Sequence, residues 1–165
     1  MVLAPLQRFP VAAVLIGGIV VAAADMAVAT GYFFLKSGVP PASIVKGIAG
    51  GWVGREAARA GGGEMVLLGA VSHTLIALAM VAFYCAVARP WSLLVARPVA
   101  SGLLYGLVTW AAMKFVVVPL SALGGGGSGQ DLLWQALHLS SHLFIVGLPS
   151  AWLARHLDAA GRSAA

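Results

Sequence analysis

Residues 10–35 read PVAAVLIGGIVVAAADMAVATGYFFL and carry a single charged side chain, Asp25. A helix needs about 20 mainly apolar residues to cross the hydrocarbon of a bilayer, so this run predicts a membrane span. It is longer than the ~7–15 apolar residues of a secretory signal. It also lacks a small-residue cleavage site ahead of a polar mature domain, and it reads as a retained span.

Working outward, residues 65–88, 98–120 and 132–154 meet the same criterion. The chain as a whole is 61% hydrophobic and 9% charged, with a mean hydropathy of +0.96. Water-soluble domains carry about 25% charged residues, and a domain this small leaves much of its surface in contact with solvent. The expected fold is therefore all-α: one integral membrane domain over residues 1–165, built as a polytopic four-transmembrane-helix bundle. Pro10 and Pro98 open two of the spans, where a missing N–H removes no intrahelical bond. Pro119 is expected to stop or bend the third span, and Pro149 to kink the fourth.

The connections differ. Residues 36–64 contain Val39-Pro40-Pro41 and then a weakly amphipathic, glycine-rich stretch, 42–60. It is read as an interfacial or re-entrant helix. Residues 89–97 read as a short turn, 121–130 as a flexible glycine link, and 156–165 as a polar tail. The glycine link has no following Gly-Lys-Ser/Thr, which excludes a phosphate-binding loop. No nucleophile, zinc-protease or dinucleotide motif stands in a useful context either, so an enzyme is not the expected function.

The formal charge of +5 does not indicate nucleic acid, because the basic residues are scattered singly rather than in a stripe. They flank the spans, as positive-inside bias requires. Four spans place Arg8, Arg89, Arg97, Arg155 and Arg162 on one side and Lys36, Lys46, Arg55 and Arg59 on the other. That count favours both termini in the cytoplasm. Cys85, the single cysteine, lies within a span and reads as a small buried hydrophobe.

Ionisable groups within lipid are costly and usually face a bundle interior. There are five: Asp25, His73, Lys114, His138 and His142. Counted at 1.5 Å per residue from the face holding the glycine link, all five fall between about 9 and about 15 Å deep. They share one half of the bilayer. Ser72, Thr74, Ser140 and Ser141 stand at similar levels. Such a layer can be structural, with Asp25 and Lys114 as an ion pair and the histidines hydrogen-bonding across helices. It can also handle protons or ions. A third use is a divalent metal site on His73, His138, His142 and Asp25, since His138 and His142 lie on one helical face. A haem between His73 and a fourth-span histidine is the related alternative, and a metal or haem on His73, His138 and His142 would make the chain a membrane redox or enzyme subunit. Cofactors are not otherwise expected. Gly102 and Gly106 form a small-xxx-small face for helix packing, within the chain or against a second copy or another membrane protein. Tyr84, Tyr105, Trp110, Trp134 and Trp152 read as interface anchors or packing groups.

The stretch Gly69-Ala70-Val71-Ser72-His73, the pair Tyr84-Cys85, Gly102-Leu103-Leu104-x-Gly106, Pro119-Leu120, and His138 or His142 with Leu following together resemble the YagU-type family of uncharacterised bacterial inner-membrane proteins. The resemblance covers roughly residues 65–145. It implies a multi-span protein of the bacterial inner membrane and supplies no reaction, substrate or cofactor. Lys114 stands where a histidine can occur in that family, and the first connection is shorter here.

Overall fold

In a computed structural model, which describes residues 10–124 and 131–163, all regular structure among those residues is helical. Arg8 and most of the glycine link lie outside the described residues. Four helices are long and apolar enough to cross a membrane: α1 (Val11–Ser37), α4 (Gly63–Ala88), α6 (Pro98–Leu120) and α7 (Leu132–Gly161). Between the first two come α2 (Pro41–Val53) and α3 (Arg55–Ala60), and α5 (Ser92–Ala96) precedes α6. The protein is a multi-pass, all-α membrane bundle. Its outward side chains, such as Ile16, Leu104, Phe115 and Phe144, are large, apolar and exposed, as a lipid-facing surface requires.

The element ends follow from local chemistry. Gly38 adopts a left-handed φ of 66° and returns its N–H to Phe34 O at 2.9 Å, closing α1, a conformation that glycine takes without a Cβ penalty. Pro41 and Pro98 occupy the first turns of α2 and α6. Asp131 caps α7, its carboxylate accepting from Leu133 N, as a short acidic side chain does at that position.

Three expectations are corrected. The stretch 42–60 is two helices, because Gly54 turns out of the helical region at φ 84°. The turn at 89–97 contains the short helix α5. The polar tail continues α7 through Ser163, with Leu157 packed on the core. Pro119 stands one residue before α6 ends at Leu120, as expected of a helix stop, whereas α7 continues past Pro149. Each proline follows a widened π turn, Met113–Val117 and His142–Gly147. Proline cannot donate to the carbonyl four residues back and its ring crowds that carbonyl. Those carbonyls belong to Phe115 and Ile145, inside the widened turns, which take up the mismatch.

Packing divides the molecule into two unlike halves. The half toward the termini is closed. Gly102 and Gly106 of α6 lie directly on Gly147 of α7; a Cβ at Gly106 would sit 2.6 Å from Leu143 Cα. Gly18 of α1 meets Leu78 of α4 as closely. Val14, Val81, Tyr84, Cys85, Ala151 and Ala154 fill the space between. Tyr84 Oη donates to Ser101 Oγ at 2.8 Å and Tyr105 Oη to Met80 O at 2.7 Å, tying α4 to α6. Gly102 and Gly106 are thus buried in packing within the chain. The half toward the glycine link opens instead, and α2 lies across it. It touches α4 where Val45 meets Gly69, and its end meets the end of α6 through Ala122 N–H donating to Gly51 O at 2.9 Å.

Candidate functional site

The opening between the helices is a cavity of about 1400 Å³. All five ionisable residues singled out in the spans, Asp25, His73, Lys114, His138 and His142, line it. They do not form one mutually bonded cluster; they make three separate arrangements on its wall.

The first joins three helices. Asp25 of α1 accepts a hydrogen bond from Ser141 Oγ of α7, and its other carboxylate oxygen lies 3.7 Å from His73 Nε2 of α4. His73 Nε2 also faces Ala22 O at 3.1 Å. Both neighbours are acceptors, so Nε2 is the protonated nitrogen and it donates to Ala22 O. Asp25 and His73 are about one-sixth exposed, at 17% and 18% of the side chain, enough to meet the cavity while packed among helices.

The second is on α7 alone. His138 and His142, one turn apart, meet edge to face with ring centroids 4.6 Å apart. His142 Nδ1–H donates to His138 O at 3.1 Å, and the His138 ring stacks on Trp134, centroids 5.4 Å apart. Trp134 in turn packs against Tyr32 and Phe33 of α1. The His142 π turn begins here.

The third corrects the expected Asp25–Lys114 ion pair. Lys114 lies in the other π turn and donates to Gln135 Oε1 of α7, with its ammonium 4.8 Å from the Trp110 ring centroid and 5.5 Å from that of Phe115. A cation over an aromatic face gains from the ring quadrupole. Gln135 lies three residues before His138, on the same side of the helix, which is the signal that could have found it.

The metal alternative requires His73, His138, His142 and Asp25 to converge. Among the described residues no group of three or more His, Cys, Asp or Glu side chains is placed to hold a metal ion. Of the two fourth-span rings, His142 spends Nδ1 on His138 O and His138 stacks on Trp134.

Further contacts join the elements around the cavity, and the sequence does not show these pairings. Trp52 Nε1–H of α2 donates to Ser72 Oγ of α4 at 2.9 Å, and Lys46 donates to Gly61 O at 2.6 Å. Lys36, Tyr32 and Asp131 form a clasp between α1 and the start of α7: Lys36 donates to Tyr32 Oη and to Asp131, and Tyr32 Oη also donates to Asp131. Lys36, then Tyr32, hold the Asp131 carboxyl down at about 2. Comparison with protein-family models, curated proteins and solved structures finds no match to this chain.

Proposed function

We propose that this is a non-enzymatic membrane protein that takes a ligand into a one-sided intramembrane chamber and handles a proton at the chamber wall. The reading rests on one observation above the others: Asp25, the only carboxylate on that wall among the described residues, is held between a histidine and a hydroxyl from two other helices. A lone carboxylate in lipid is a functional group by default, and the His73 imidazole beside it can both donate and accept a proton. Location in the bacterial inner membrane with both termini cytoplasmic, and kinship with the YagU-type proteins, belong to the same proposal; the motifs from Gly69 to Leu143 and the charge flanking the spans support them.

Infrared titration of the reconstituted protein tests the proton. Wild type is expected to show a carboxyl C=O band that appears on acidification and is missing in Asp25→Asn. The band should move when His73→Gln or Ser141→Ala is introduced. A band that is absent from wild type, or that ignores both substitutions, rejects proton handling and leaves the three residues as helix-to-helix fastening.

A further inference from the structure

The charge on the chamber wall is lopsided. Lys46 of α2, Arg55 and Arg59 of α3, and Lys114 of α6 line the cavity against the single carboxylate of Asp25. That carboxylate is engaged by Ser141 and faces His73. In a space walled by protein and lipid, charges are weakly screened and an excess of one sign sets the potential. A cationic ligand is therefore disfavoured and an anion favoured.

Lys114 points the same way. An ammonium carries three donors, and among the described residues Nζ has one oxygen acceptor, Gln135 Oε1, beside two aromatic faces. Donor capacity is left on the cavity side. Serines, Gln135 and three histidines add polar points, but most of the remaining wall is apolar or aromatic, with Ile76, Met80, Val116, Val146, Trp52 and Trp110 facing the space. At about 1400 Å³ the chamber exceeds the ~300–1,000 Å³ of sites for drug-sized molecules. It is too large and too apolar for an inorganic ion alone.

We propose that the chamber binds an amphipathic anion, a carboxylate or phosphate on an apolar body, with its charge among Lys46, Arg55, Arg59 and Lys114 and its body against the apolar wall. The ligand can reach the chamber from the bilayer, as a fatty acid does, or from water, as an aromatic acid does. This inference rests on the chamber reading and not on proton handling at Asp25.

Tryptophan quenching in detergent micelles tests it, because Trp52, Trp110 and Trp134 line the space. Dibrominated stearate is expected to quench saturably, and dibrominated stearyl alcohol, with the same body and no charge, is not. Lys114→Gln and Arg59→Gln should each weaken stearate binding about tenfold, the loss of one charge-assisted bond. Arg59 is exposed, so its variant reports on binding even if Lys114→Gln fails to fold. Bromobenzoate marks the source: quenching by it assigns a water-borne ligand, and quenching by stearate alone assigns a bilayer one. Equal quenching by the alcohol, or stearate quenching undiminished in both variants, overturns the proposal. The infrared titration uses no ligand, so failure there and failure here are separate results.

Discussion

Asp25 and Ser141 stand 116 residues apart and touch, and the same is true at smaller separation of His73 with Ala22 and Lys114 with Gln135. Composition and helical depth place these groups at one level, because an ionisable side chain in a span is conspicuous. Depth does not give azimuth, so the partner of each was not legible: Asp25 and Lys114 share a level and belong to different arrangements. The clasp of Lys36, Tyr32 and Asp131 was missed for another reason, since each residue looks ordinary at a helix end. It yields a prediction with a definite sign. Asp131 titrates near 3.8 when free and at about 2 when clasped. A carboxylate whose folded value is depressed stabilises the fold above its free value, and loses that effect as pH falls through the folded one. Thermal unfolding in detergent should find wild type more stable than Asp131→Asn by a constant margin above about pH 4, vanishing toward about pH 2. A margin that grows on acidification contradicts the clasp.

At the scale of elements, the four spans were legible because apolar length alone decides them, and Pro98–Leu120 coincides with its expected bounds. The break at Gly54 and the π turns were not, because they depend on how the backbone answers a glycine or proline once neighbours are packed. The α6–α7 crossing gives the sharpest test. A methyl at Gly106 would strike His142 O and Leu143 Cα, backbone atoms that cannot rotate away, whereas at Gly31 it would meet nothing within 4 Å. Gly106→Ala is expected to cost about 1–3 kcal/mol through overpacking. Gly31→Ala should stay within about 0.5 kcal/mol of wild type. Unfolding in mixed micelles of rising denaturing-detergent fraction measures both; equal stability of the two variants would show that the crossing tolerates a side chain.

At the scale of the molecule, one half is sealed and the other hollow. The sequence shows which half is polar but not that it is hollow; what seals the other half is glycine meeting glycine between α6 and α7, a pairing that no single span reveals. One-sided access follows. In a Cys85→Ser background, Gln135→Cys, on the chamber wall, should react with a membrane-impermeant thiol reagent applied to the glycine-link face and not to the other. Ser150→Cys, fully buried in the sealed half, should resist reagent from both. Oppositely oriented membrane vesicles supply the two exposures, and reaction of Gln135→Cys from the terminal face would refute the division.

The glycine seam carries a consequence for traffic. Where main chain rests on main chain, no rotamer change can clear a passage, and only a rigid displacement of whole rods could. A ligand taken up as proposed would have to leave by the door it used, as from a cup set into one leaflet and not a pipe through both. Retention time, more than throughput, would then be the property its walls control.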